Sequence, residues 1–322
     1  MDAVKLIFNI LIFPGGLFAI LFGLFLTGLD RKLYARLQRR VGPPLHQPFI
    51  DTVKLLQKET LVPTTANYQV FRLAPLVGFA GMLAAFAIIP VAGVYAGLYQ
   101  SADLLVLLYL LTTPAFALML GASAAGSPYS SVGLSREMTM VLAYEIPLLL
   151  CILAVGVKVG IAGGGFADFS LTNIVAYQNG NGPILLDITM IPAVIAFLCC
   201  IPGTIGVVPF DIPEAETEVA EGPLLEFSGT GLAIYKLTGG IKMAVVSALA
   251  VALFFPNGLS GIWIVNLLWF VLKCALVTTI TITIVRATRA RMRMDQAFKF
   301  YLLVPSALAL VSLAITIISA AL

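Results

Sequence analysis

Six carboxylates crowd the sixteen residues from Asp211 to Glu226 in a chain where charged residues make up only 11%. They are Asp211, Glu214, Glu216, Glu218, Glu221 and Glu226, and no Lys, Arg or His interrupts them. Glu214, Glu218 and Glu221 are spaced i, i+4, i+7, which would set three carboxylates on one face if the segment after Pro213 is helical. Pro213 in a first turn and acids near a helix N-terminus favour that helix. Like charges this close raise one another's pKa, and a group that titrates near neutral pH can take up and release protons. The chemistry on offer is therefore proton storage. The competing reading is a plain solvated acidic loop; a calcium site is disfavoured, because the EF-hand order of Asp, Asn and Gly is missing.

Further ionisable groups fall inside apolar sequence. REMTMVLAYEIPLLL carries Glu137 at the expected membrane edge and Glu145 about two turns deeper, both within one broad helical face. Pro147 frees a backbone carbonyl one turn before it, making room for water or a polar partner. Lys236, Lys242 and Lys273 interrupt two other apolar runs. An ionisable side chain at such depth costs several kcal/mol unless paired or hydrated, so each is a functional candidate against the alternative of a structural ion pair. Lys236 and Lys273 have more scope than Lys242 to reach an edge by snorkelling.

A third group is basic. DRKLYARLQRRVGPP presents Arg31, Arg36, Arg39 and Arg40 among apolar and aromatic residues. Anchoring to anionic lipid explains such a cluster without further function. Arginine also forks onto carboxylates, so the cluster suits a protein partner equally. The single histidine, His46, cannot build a metal site alone. Cys151, Cys199, Cys200 and Cys274 lie in apolar runs without C-x-x-C spacing and read as packing residues. No metal site is expected, and nothing suggests a nucleic-acid partner.

The elements that must position these groups follow from hydropathy. A mean hydropathy of +1.02 and recurrent apolar runs of more than about 18 residues define a polytopic, all-α membrane protein. Eight spans are expected, at about 4–29, 73–96, 103–125, 137–157, 187–208, 231–255, 262–285 and 300–321, forming one transmembrane domain over 1–322. The first runs straight into the basic stretch with no small-residue cleavage site, so it reads as a span and not as a signal peptide. Odd-numbered loops hold the basic residues, Arg31 to Arg72 and Arg286 to Lys299, whereas the other face offers little beyond Lys5 and Lys158. The odd loops are therefore expected in the cytoplasm and both termini outside. The acidic loop, about 209–229, shares that side. QPFIDTVKLLQKE (47–59) reads as an amphipathic surface helix with Phe49, Val53 and Leu56 on its apolar side. The loop 160–186, with GGG and NGNG, reads as flexible. No inverted repeat is evident.

In order, DRKLYARLQRRVGPP, QPFIDTVKLLQKE with RLAP at Arg72–Pro75, YEIP at Tyr144–Pro147, PFDIPEAETEVAEG with EFSG at Glu226–Gly229, and VRATRARMRMDQ resemble the NuoH-type membrane subunit of respiratory complex I and its hydrogenase relatives. The resemblance spans about residues 28–300. It implies eight spans and a subunit that joins a membrane arm to a cytoplasmic electron-transfer arm. It further implies a proton path through Asp211, Glu214, Glu216, Glu218, Glu221 and Glu226 into Glu137 and Glu145, with Lys236 and Lys242 stabilising charged states. Arg31, Arg36, Arg39, Arg40 and Glu59 would meet the peripheral arm.

One departure refines the resemblance. Quinone-reducing members carry a longer RxGPNRVGPxGLLQP segment where VGPPLHQP runs directly from Val41 to Pro48 here. The short form is similar to the membrane subunits of archaeal membrane-bound nickel-iron hydrogenases and sulfane reductases. It implies hydrogenase-like or sulfur-reductase-like peripheral subunits holding iron-sulfur clusters and a NiFe centre, antiporter-like membrane subunits beside this chain, and ferredoxin as the indirect electron source. The chain would be a non-metal-binding subunit of an oxidoreductase and proton or sodium translocase. A quinone-reducing complex I subunit and a free-standing ion or solute carrier are the alternatives.

Overall fold

The computed structural model of the protein describes residues 8–97 and 103–321. Lys5 and the expected start of the first span lie outside them. Helices dominate, as hydrocarbon requires of a backbone that must satisfy its own hydrogen bonds. They are α1 (Gly16–Leu37), α2 (Gln47–Leu56), α3 (Tyr68–Ile88), α4 (Leu104–Ala125), α5 (Pro128–Ala162), α6 (Leu171–Asn181), α7 (Ile191–Ile205), the one-turn α8 (Glu216–Val219), α9 (Gly229–Phe254), α10 (Trp263–Thr278), α11 (Ile284–Thr288) and α12 (Met294–Ala321). A π-helical segment, Thr279–Thr283, joins α10 to α11.

Among the described residues seven helices are long and apolar enough to cross a membrane. The protein is thus a multi-pass membrane protein, and the differences from the expected spans have local causes. The span expected at 187–208 is the fifteen-residue α7, about 22 Å long at 1.5 Å per residue and short of a ~30 Å hydrocarbon core. Pro192 in its first turn and Gly206 in a left-handed cap (φ 78°) close it at both ends. Conversely, α5 runs for 35 residues, so Glu137 sits in its third turn and not at a helix edge. The loop expected to be flexible contains α6 in its middle. Buried Gln178 of that helix donates to the carbonyls of Ala252 and Leu253 at 3.2 and 3.0 Å, pinning it to the end of α9.

α9 is the axis of the fold. It touches α1, α2, α3, α4, α6, α7 and α10, and its apolar stretch is almost wholly buried. Without a hydrophobic drive between helices in lipid, close packing depends on small residues, and α9 is rich in Gly and Ala. A Cβ on Gly23 of α1 would lie 2.6 Å from the Gly240 backbone, so that crossing is open only to glycine.

The odd loops converge at one end. Asn67 N–H donates to Ala124 at 2.9 Å, Leu61 N–H to the Ser228 hydroxyl at 2.9 Å, and Met292 N–H to Pro209 at 3.0 Å. At the opposite end Lys158 pairs with Asp187 at 2.7 Å. On α2, Pro48 and Thr52 are buried, while Val53 and Leu56 remain exposed; the apolar stripe faces outward, as an interfacial helix requires.

Candidate functional site

The acidic segment does not form one helix with three aligned carboxylates. Glu216–Val219 makes one α-helical turn, after which Ala220, Glu221 and Gly222 adopt left-handed backbone (φ 49°, 69° and 50°) and turn the chain back into a separate 3-10 turn, Gly222–Leu224. Any side chain at Gly222 would meet the Pro213 carbonyl at 2.3 Å. The folded loop therefore divides its charges. Asp211 and Glu214, both half-buried, line a cavity of about 100 Å³, room enough for a few waters. Glu218 and Glu221 are exposed, and Glu218 accepts from Arg136. Glu226 is half-buried outside the cavity, and the Glu216 side chain lies outside the described atoms.

Two membrane helices complete the cavity with ionisable groups, α5 with Glu137 and α9 with Lys242. Lys242 is 7% exposed and lies about 20 Å along α9 from its charged end. The other polar groups on the wall are already engaged. Thr204 donates to Cys200 at 2.9 Å, Thr238 to Ile234 at 2.7 Å, and Tyr235 to Ala117 at 3.0 Å. The ionisable groups left on the wall are Asp211, Glu214, Glu137 and Lys242. Asp211 also accepts from Arg291 at 2.9 Å.

Glu214 illustrates the electrostatics. Burial disfavours its charged form most, the negative charges of Asp211 and Glu137 add to the effect, and Lys242 opposes it; the carboxyl is pushed up to about 8. The upward shift comes from burial together with the like charges of Asp211, Glu137 and Glu221, and not from helical spacing.

Several expected members lie elsewhere. Glu145 is not on the cavity wall; it sits on α5 beside Leu142, Ile146 and Leu149, which are exposed on the lateral surface. Lys236 is exposed on α9. Lys273 is buried, yet its Nζ donates to the carbonyls of Phe255 and Asn257 at 2.7 and 2.8 Å, capping the broken end of α9. Sequence reasoning overlooked three residues: Arg136 and Arg291, which hold the loop at Glu218 and Asp211, and Asp30. Asp30 is 3% exposed and is held by Thr283 at 2.8 Å and Arg286 at 3.1 Å, locking α1 to the π segment. The available signal was a lone acid opening a run of arginines.

The basic cluster also divides. Arg31 is engaged by Asp51 at 2.9 Å, and the Gln47 amide, with Arg31, holds that carboxyl below its usual pKa. As an exposed pair it contributes at most about 1 kcal/mol. Arg36, Arg39 and Arg40 are exposed at the end of α1 and make no ion pair among the described residues. Glu59 is exposed at the seam where the Ser228 hydroxyl reaches its carbonyl at 3.5 Å.

A bundle of apolar helices with a carboxylate-lysine cavity under one charged end defines a multi-pass membrane protein that carries titratable groups into its interior. The chain belongs to the NADH dehydrogenase family, whose pattern matches residues 9–317. It is 35% identical to hydrogenase-4 component C of Escherichia coli over 72% of this chain and 70% of that one. It is 34% identical to an NADH-quinone oxidoreductase subunit of Thermomicrobium roseum over 92% of both chains. In three dimensions it resembles a chain of the membrane-bound sulfane sulfur reductase, an archaeal respiratory membrane complex, with a TM-score of 0.82, 28% identity, and coverage of 93% and 96%.

Proposed function

We propose that this chain is the membrane-anchoring and coupling subunit of a ferredoxin-oxidising hydrogenase or sulfur-reductase complex, and that it passes redox energy to proton or sodium translocation. The observation that carries the reading is the cavity itself. A loop at the charged end inserts Asp211 and Glu214 into the membrane bundle against Glu137 and Lys242, so movement of the loop alters the field on groups deep in the interior. Kinship with hydrogenase and sulfane reductase subunits and the short Val41–Pro48 segment support the electron donor and acceptor class.

In this mechanism the peripheral arm docks on Arg36, Arg39, Arg40 and Glu59. Its iron-sulfur and NiFe centres would supply the electron chemistry, with no redox group contributed by this chain. A shift of the arm is transmitted through the loop, which Arg136 and Arg291 tie to α5 and to the second basic loop. When Asp211 or the Glu214 backbone moves, Glu214 loses part of the burial, and of the like charge beside it, that keep its proton. The proton passes through cavity water to Glu137, and Lys242 compensates the charge left behind. Antiporter-like neighbours in the membrane would receive it. The charged end faces the cytoplasm, because arginine-rich loops are retained there.

The test is to purify the complex containing this chain and measure ferredoxin-dependent hydrogen or sulfide production together with the ion gradient in vesicles. Glu137→Gln and Glu214→Gln complexes are expected to keep electron transfer and lose translocation. Wild-type gradients in both variants would overturn the reading.

A further inference from the structure

A second cavity, of about 400 Å³, opens between α7, the π segment and α12. Its wall is apolar, with Ile195 and Leu198 from α7, Ile280 and Val285 around the π segment, and Phe300 from α12. Ile195 lies ten residues before the end of α7, so the crevice reaches about 15 Å into the apolar zone from the charged end. Its rim carries Arg289, which is exposed and makes no ion pair or side-chain hydrogen bond among the described residues. The lining polar groups are few. Thr281 spends its hydroxyl on the Val277 carbonyl at 2.7 Å, leaving the half-buried thiol of Cys199.

An apolar slot running along α7 from the charged end, with a guanidinium at its rim that has no ion pair among the described residues, matches a particular amphiphile. Guanidinium binds phosphate by charge and geometry, and basic pockets between membrane helices on the arginine-rich side select anionic headgroups. A neutral quinone fits less well, because no carboxylate, histidine or tyrosine lines the crevice to exchange protons with it. The π turn contributes independently. Such turns insert an extra residue and re-aim a helix face, and they recur at functional sites; this one presents Ile280 and Thr281 to the crevice while Thr283 is held by Asp30.

We propose that this crevice holds an acyl chain of an anionic phospholipid whose phosphate pairs with Arg289. The site is separate from the carboxylate-lysine cavity; the Phe210 ring, packed on Phe300 and Tyr301 at 5.7 and 4.7 Å between centroids, lines both and divides them. The proposal stands whether or not the chain couples to a redox arm.

Cys199 provides the probe. The intact complex is placed in vesicles of phosphatidylglycerol or of phosphatidylcholine, exposed to N-ethylmaleimide, and Cys199 modification is read by peptide mass spectrometry. Labelling is expected to be about five-fold slower in phosphatidylglycerol, the effect of one cation at an anionic surface. Arg289→Gln should abolish the difference and Arg289→Lys should keep most of it; the exposed, unpaired position makes both variants compatible with folding. Equal rates in the two lipids, or a difference that survives Arg289→Gln, would overturn the proposal. So would protection by decylubiquinone in phosphatidylcholine, which marks a neutral occupant. A thiol unreactive in the intact complex in either lipid, yet reactive in the isolated chain, would overturn it in favour of a partner helix.

Discussion

Lys242 and Lys273 are the same residue at the same 7% exposure, each inside an apolar helix, and they meet opposite surroundings. Lys273 points at backbone, where its ammonium donates hydrogen bonds to the carbonyls of Phe255 and Asn257 and the rings of Phe255 and Trp269 stand 5.7 and 5.9 Å from its nitrogen. Those partners cannot titrate, so the ammonium acts as a fixed cap on the end of α9. Lys242 faces a cavity shared with Glu137, Asp211 and Glu214, each able to change charge. Burial alone therefore does not distinguish the two lysines; the ability of their neighbours to titrate does.

The largest effect should come from exchanging the two roles. Lys242→Met is expected to reduce ion translocation at least about ten-fold, the rate equivalent of 1.4 kcal/mol, while the complex still assembles. Lys273→Met should leave translocation per assembled complex unchanged but lower the thermal midpoint in detergent, since each uncapped buried carbonyl costs about 1–3 kcal/mol. Equal loss of translocation in both variants would erase the distinction. Next in size is docking: reversing charge at Arg36 and Arg39 together should release the peripheral subunits from washed membranes, and undiminished co-purification would count against that surface.

A sharper comparison uses pH. Because the Glu214 carboxyl is pushed from an ordinary 4.5 up to about 8, the stability linked to its retained proton is complete below pH 4.5 and is lost as pH rises through 8. Coupling should change over the same upper range, with a midpoint near 8 that disappears in Glu214→Gln. A wild-type profile unaltered by that substitution would reject its role. The smallest expected difference is between two carboxylates of α5: Glu137→Gln should weaken the gradient more than Glu145→Gln, because only Glu137 lines the cavity. The reverse order, measured in the same vesicles, would shift the path to the lateral surface of α5.

Much of this was legible in the residues. Long apolar runs announced the membrane helices, the proline after His46 and the mixed pattern beyond it announced α2, and the density of acids announced a special loop. The misreadings have local causes. Spacing of i, i+4, i+7 suggested aligned carboxylates, but the left-handed backbone at Ala220, Glu221 and Gly222 breaks the helix after one turn. The GGG and NGNG runs suggested an open loop, but Gln178 finds two unbonded carbonyls at the end of α9 and orders α6. Asp30 gave almost no signal, because its partners Thr283 and Arg286 lie more than 250 residues away along the chain.

Sequence by itself determined the solvent of this protein, its helical class and the end at which charge collects, because hydropathy and backbone hydrogen bonding are properties of each segment alone. Only the tertiary structure decided which of the six carboxylates enter the bundle, which lysine meets them and which merely caps a helix. Those outcomes depend on electrostatic energies between groups far apart in the chain, and such energies exist only once folding has fixed their distance and excluded the water between them.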